Sequence, residues 1–369
     1  LSSKTIYLPG LNGLRAIAAI AVVISHTTLS LNKFNLDPNI FGSLQNGEPQ
    51  GLLLAGNGVS IFFVLSGFLI TYLLQVEKEV QPINIKKFYL RRILRIWPLY
   101  YLYLMLALIS VFVFNLYFNL NSVFLYLFFL ANIPSAFGTQ LPNLMHYWSL
   151  GAEEQFYLIW PWVNKKTNSL IKVIVILIIL LTGTKVAFHF LFPNSLFETF
   201  MNITKFHCMM IGALGSMLYI RKHALFLKLI DNKLTQCICW FIILLVALNK
   251  WHLYSVIDNE IISVISLFLI IGQIGVMNRI INLELNLLNF LGKISYGIYV
   301  IHPLVIFFLY KGLFPYINAE GVSGFVMVYA LVLIMTILLS HLSYEYFEKY
   351  FLKLKEKVSV VKSSGSKDF

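Results

Sequence analysis

The sequence predicts an all-α polytopic membrane protein, about ten transmembrane helices in one bundle with an extra re-entrant segment at 121–133. Three observations carry that expectation. Apolar types make up 59% of the 369 residues and charged types only 12%, about half the charged share of ordinary globular chains. A soluble chain of this length has too little interior to hide so much apolar surface, so lipid must cover the rest. Apolar runs of spanning length also recur from one end of the chain to the other. The third observation is the charge, 28 Lys and Arg against 16 Asp and Glu for a net +12, because the loops sort it by side.

The runs lie at 11–32, 54–76, 94–117, 147–163, 169–192, 206–220, 234–250, 256–277, 294–313 and 323–345. Ten crossings return both termini to one side. The run 121–133 is shorter, and a long uncharged loop from Ile133 to His146 follows it, so it reads as re-entrant or interfacial. With the termini inside, the inner segments and Arg15 hold 23 of the Lys and Arg residues. The outer segments hold four, Lys33, Lys205, Lys250 and Lys311, and Lys185 sits within a helix. The positive-inside rule therefore puts both termini in the cytoplasm. Anionic membrane lipids, not nucleic acid, become the partners of the basic loops.

Residues 1–348 form one membrane domain, and 349–369 read as a Lys-rich cytoplasmic tail, expected to be disordered. No hydrophilic stretch exceeds about 30 residues, so any chemistry belongs to the bundle. Cys208, Cys237 and Cys239 are too few and too scattered for a disulfide framework or a metal set, and no metal is expected.

Ionisable groups inside spans are costly and mark the places to look for function. Arg15 and His26 are eleven residues apart, which leaves them on one face of the first helix, about 16 Å apart along its axis. A snorkelling arginine and a backbone-bonded histidine are the plainer readings of each alone. Gly58 to Thr71 is rich in small residues that suit close helix packing. Arg91, Arg92 and Arg95 lie within one turn of each other ahead of Trp97-Pro98. They suit phosphate oxygens, or anchor the inner membrane face. His146 to Tyr157 gathers Trp148, Ser149, Glu153, Glu154 and Tyr157 near a helix start. Helix capping would explain the two carboxylates. Near the C-terminal end, Tyr299 and His302 share a face of another span. Lys185 and His189, four apart, form a further intramembrane pair.

As a set these segments resemble the bacterial membrane-bound acyltransferase family 3, integral-membrane O-acyltransferases of surface glycans. The matching pieces are Leu11 to Ala16 with His26, Gly58 to Thr71, Arg92-x-x-Arg95 with Trp97-Pro98, Tyr147 to Tyr157, Leu291 to Pro303 and Ser343-Tyr344-Glu345. They occur in family order across nearly all of 7–350. Many members carry an acidic residue where Ser60 stands, so no carboxylate role carries over there.

The resemblance implies a multi-pass protein of the bacterial cytoplasmic membrane that moves an acetyl or other short acyl group. The donor would be acetyl-CoA, arriving from the cytoplasm, and the acceptor a hydroxyl of a cell-surface or lipid-linked glycan. Arg92 and Arg95, with Arg91, would hold the coenzyme phosphates. His26 would act as general base or acyl relay, since transfer from thioester to hydroxyl needs a base that titrates near neutral pH. Arg15 would hold a phosphate or polarise the thioester carbonyl. Glu153 or Glu154 would orient His26 or the acceptor, while Trp148, Ser149, Tyr157, Tyr299 and His302 would line the substrate cavity. Some members append an extracellular hydrolase-like domain. Without one, the expectation is that transfer finishes in the membrane or passes to a separate periplasmic or extracellular acceptor protein. Two other readings compete: a polytopic transporter of an anionic substrate, and a non-catalytic glycan-assembly component.

Overall fold

The computed structural model describes residues 4–40, 42, 43, 49, 52–248, 250, 256–313, 321–359 and 361–363. Its helices, in chain order, are α1 (Leu11–Leu29), α2 (Leu52–Val80), α3 (Ile85–Val113), α4 (Leu120–Leu127), α5 (Asn132–Ala136), α6 (Tyr147–Lys166), α7 (Leu170–Leu191), α8 (Leu196–Thr204), α9 (Phe206–Ile220), α10 (Ala224–Ile230), α11 (Lys233–Ala247), α12 (Asp258–Gly275), α13 (Asn286–Lys293), α14 (Ser295–Phe308), α15 (Gly321–Ser343) and α16 (Lys349–Val358). Two three-residue strands, β1 (Lys4–Ile6) and β2 (Val361–Ser363), pair in parallel and bring the two ends of the chain together.

Among the described residues, eight helical segments are long and apolar enough to cross a membrane. The bent pair α10 and α11, 58° apart at its break, would make a ninth. The protein is thus all-α and polytopic, as expected. The difference from ten lies in α6, whose Glu153, Glu154 and Gln155 reduce its apolarity. Leu158, Ile159 and Trp162 on α6 are exposed, so only one side of that helix is dressed for lipid. Within 121–133, the helices α4 and α5 have eight and five residues and cannot span.

Side-chain caps start several helices where the apolar pattern begins. Asn84 accepts the Lys87 N–H at the head of α3, and Ser195 accepts the Glu198 N–H at the head of α8. At the centre, α2 packs along α1 and α9, and α1 also meets α13 and α14. The α2–α9 contact depends on two glycines. A Cβ at Gly67 would lie 1.9 Å from the Met209 carbonyl oxygen, and one at Gly212 would lie 2.1 Å from that of Val64. The small-residue stretch of α2 is therefore a packing seam, as helix association in lipid favours.

The segment after 348 departs from the expected disordered tail. Lys349–Val358 is helix α16, packed against α3. A π-helical turn, Tyr344–Glu348, joins it to α15. The last residues, 364–369, lie outside the described ones.

Candidate active site

A cavity of 530 Å³ opens among α1, α2, α3, α6 and α14, with α16 across one side. That is within the usual size range of small-molecule sites. Arg15, Arg92, Arg95, Ser149, Glu153, Tyr157 and Tyr299 all line it. Seven residues singled out from four separate stretches of sequence thus share one space.

Each wall has a local cause. Gly10, left-handed at φ 74°, turns the chain into α1. There the Gly10 N–H and the Tyr7 hydroxyl both donate to the Glu284 carboxylate. This ties the start of α1 to the segment before α13 and places Arg15 one turn inside the bundle. Its Nη1 donates to Asn12 Oδ1 at 3.3 Å. On α3, the Arg92 guanidinium sits over the rings of Phe88 and Tyr157 at 5.8 and 5.6 Å. Its Nε is buried without a hydrogen-bond partner. Among the described residues, none of Arg15, Arg92 and Arg95 has a carboxylate within ion-pair distance.

The two adjacent carboxylates of α6 separate, because neighbours on a helix point about 100° apart. Glu153 faces the cavity and accepts from the hydroxyls of Ser66 and Tyr157. Glu154 does not line it; its Oε2 accepts the Trp97 indole N–H at 3.2 Å. Arg91 is likewise turned aside, in a 2.6 Å ion pair with Glu77. Trp148 packs edge-on against Phe63 and is not part of the cavity wall.

His26 and His302 lie beside the cavity rather than on its wall. His26 Nδ1 is 2.8 Å from His302 Nε2, and the rings stack with centroids 5.0 Å apart. His302 Nδ1 is 3.1 Å from the Ile298 carbonyl oxygen. A carbonyl only accepts, so His302 carries its proton on Nδ1 when neutral and offers Nε2 as an acceptor. His26 then donates from Nδ1 and keeps a bare Nε2. His146, whose ring centroid is 5.3 Å from that of His302, completes a histidine cluster. Its Nε2 reaches the Val300 carbonyl at 3.2 Å.

Tyr299 connects the two regions. It lines the cavity, its hydroxyl is 2.5 Å from Ser149 Oγ, and that hydroxyl donates to the His146 carbonyl at 3.0 Å. Its ring is also within 6.2 Å of His302, centroid to centroid. With Phe62, which it meets edge-on at 5.8 Å, it forms the wall between cavity and histidines.

Three participants had no assigned role from sequence: His146, Ser66 and Lys355 of α16, which also lines the cavity. His146 opens a segment already singled out, so its histidine was a visible signal. Ser66 and Lys355 carried none beyond a packing stretch and a charged tail. The expected pairing of Lys185 with His189 gives way to two other contacts. Lys185 Nζ lies 3.0 Å from both oxygens of Glu260, and His189 lies 2.7 Å from Glu198. Ser60, at the position where an acidic residue is common in the resembling family, instead faces a cation. Lys205 Nζ lies 3.3 Å from its Oγ and 3.1 Å from the Gly56 carbonyl oxygen.

Comparison with known proteins follows from this arrangement. A family model described as an acyltransferase domain matches residues 8–345. The peptidoglycan O-acetyltransferase OatA of Listeria monocytogenes is 35% identical over 190 residues, 46% of this chain and 27% of that protein. The O-acetyltransferase OatA of Staphylococcus aureus is 26% identical over 376 residues, 93% of this chain and 57% of that protein. The chain therefore spans less than two thirds of the length of either relative. No solved structure matches it.

Proposed function

The chain belongs to the acyltransferase 3 family, and from that premise we propose that it is an O-acetyltransferase of a cell-wall glycan, fed by acetyl-CoA from the cytoplasm. The supporting observation is the wall of the 530 Å³ cavity, where Arg15, Arg92 and Arg95 face one space without a carboxylate in ion-pair contact among the described residues. Half-buried cations without a partner are costly, and a polyphosphate ligand offsets that cost with fork-like hydrogen bonds. The inner ends of α1 and α3 carry these arginines, on the side where the positive loops place the cytoplasm. The protein is then a multi-pass protein of the bacterial cytoplasmic membrane with both termini inside.

In this reading the donor phosphates rest on Arg92 and Arg95 with Arg15 beside them, since Arg15 turns toward Asn12 and away from His26. The bare Nε2 of His26 takes the proton of the acceptor hydroxyl while that oxygen bonds to the thioester carbonyl carbon. The carbon–sulfur bond breaks, and the thiolate of the coenzyme recovers the proton. His302 holds His26 in the tautomer that leaves Nε2 free. Glu153, with Ser66 and Tyr157, shapes the polar floor of the cavity.

The wall of Tyr299 and Phe62 between arginines and histidines favours a second route as well. There the acyl group first rests on a protein side chain and then moves outward, in two steps. The acceptor is a hydroxyl of peptidoglycan or of its lipid-linked precursor, directly or through a separate acceptor protein.

The test is purified protein in lipid nanodiscs with acetyl-CoA and glycan fragments. Release of free thiol and acetylated glycan is expected from the parent protein and is lost in His26→Ala. Thiol release unaffected by that change would remove His26 from the reaction. Uptake of an anionic substrate without thiol release would favour a transporter, and glycan binding without either would favour an assembly component.

A further inference from the structure

We propose that Arg91, Arg92 and Arg95 of α3, together with Lys355 of α16, form a subsite for one phosphomonoester, so that the carboxy-terminal helix is a working wall of the donor site. The proposal rests on reading the large cavity as the donor site, and it names which part of the donor lies where.

A second, smaller recess of 60 Å³ joins that cavity. The two share Ile70, Leu73, Arg92, Arg95, Lys355 and Glu356 as lining, so they are continuous. The smaller one holds about four waters by volume, room for a phosphate group but not for a nucleoside. Four cations line it, Arg91, Arg92, Arg95 and Lys355, against two carboxylates, Glu77 and Glu356. Glu77 is already engaged by Arg91. The excess of two positive charges matches a phosphomonoester dianion.

Two further observations point the same way. Arg91 Nη1 and Arg92 Nε are both buried without a hydrogen-bond partner, and both belong to this recess. Buried guanidinium N–H groups left unpaired are unfavourable by more than an ordinary lost hydrogen bond, which an oxyanion would relieve. Lys355 also has no carboxylate within ion-pair distance among the described residues. A solvated tail lysine has no need of such a position, whereas its helical neighbours Lys353 and Lys357 are exposed.

The packing explains how Lys355 gets there. The π-helical turn Tyr344–Glu348 carries the chain off α15, and α16 then lies against α3. Leu352, one turn before Lys355, lines the large cavity. The parallel pairing of β2 with β1 holds the end of this segment to the strand that leads into Tyr7, another cavity residue. The pairing thus ties the segment after α16 to the segment that enters α1.

Acetyl-CoA has one phosphomonoester, on the ribose, remote from the thioester. With that group in the recess, the pantetheine arm extends into the large cavity toward Arg15. Binding of acetyl-CoA, of acetyl-CoA lacking the ribose phosphate, and of adenosine 3′,5′-bisphosphate should be measured by calorimetry on the full chain in nanodiscs. The proteins are the parent, Lys355→Ala, Lys355→Arg and the exposed control Lys353→Ala.

Lys355→Ala and loss of the ribose phosphate should each weaken binding about tenfold or more, and together no further. Lys355→Arg and Lys353→Ala should bind like the parent. Equal acetyl-CoA affinity in parent and folded Lys355→Ala overturns the subsite and leaves the donor reading standing. If Lys355→Ala does not fold, parent protein that is indifferent to the missing ribose phosphate overturns it equally. Bisphosphate binding that depends on Lys355, with no acetyl-CoA binding, upholds the subsite and overturns the donor reading. No binding of any of the three overturns both.

Discussion

His26 Nδ1 and His302 Nε2 meet at 2.8 Å across the α1–α14 contact, from positions 276 residues apart in the chain. The bond to the Ile298 carbonyl on the far side of His302 sets the direction of the proton chain and leaves His26 Nε2 as a free acceptor. His302→Gln should therefore slow acetyl transfer roughly 10- to 100-fold, less than His26→Ala at about 10²- to 10⁴-fold, with donor affinity unchanged in both. The comparison is a kcat measurement beside a donor titration. A His302→Gln enzyme as fast as the parent would remove the orienting role.

The two carboxylates of α6 should behave differently although they are adjacent. Glu153 sits on the cavity wall with Ser66 and Tyr157, whereas Glu154 braces the Trp97 indole. Glu153→Gln is expected to lower transfer at least tenfold with little change in melting temperature. Glu154→Gln, whose amide oxygen still accepts from Trp97, should stay within about threefold of the parent. Reversed results in a steady-state assay would exchange their roles.

Arg91 and Glu77 form a buried ion pair with side chains 11% and 3% exposed. Breaking such a pair from one side leaves an uncompensated charge, at about 3–5 kcal/mol. Glu77→Ala should therefore lower the thermal midpoint clearly, and Arg91→Ala with Glu77→Ala should recover part of the loss. Thermal unfolding followed by size-exclusion fluorescence reads this directly. A stable Glu77→Ala protein would contradict it.

Lys205 already points at Ser60 Oγ at 3.3 Å. Ser60→Asp is thus expected to be tolerated, because the new carboxylate finds a cation in place. In a Lys205→Met background the same change would bury a charge alone. The double-mutant cycle should show a favourable coupling of roughly 1–3 kcal/mol, and zero coupling would mean the two side chains do not interact.

The seam between α2 and α9 and the split between Glu153 and Glu154 mark where sequence reading succeeded and where it stopped. Small residues from Gly56 to Gly67 announced close helix contact, because only such residues admit a backbone neighbour. Nothing in the local pattern distinguished Ser66, a donor to Glu153, from the packing residues around it. The adjacent pair Glu153-Glu154 stands out near a helix start, but which one faces the cavity depends on how α6 is rotated against α2 and α3. Similarly, Lys353, Lys355 and Lys357 read alike as tail charges, and only the docking of α16 on α3 selects Lys355.

Composition and spacing by themselves determined that this is a helical membrane protein and which ionisable residues are costly there. These follow from terms that act along the chain, namely the transfer of apolar runs into lipid, the sorting of cations by side and the period of a helix. The tertiary structure alone decided that Arg15, Arg92 and Arg95 share one cavity, that His26 finds His302, and that Lys355 of α16 lines the same cavity. Those outcomes depend on helix rotation and on contacts between residues far apart in sequence, which hydropathy and periodicity do not encode.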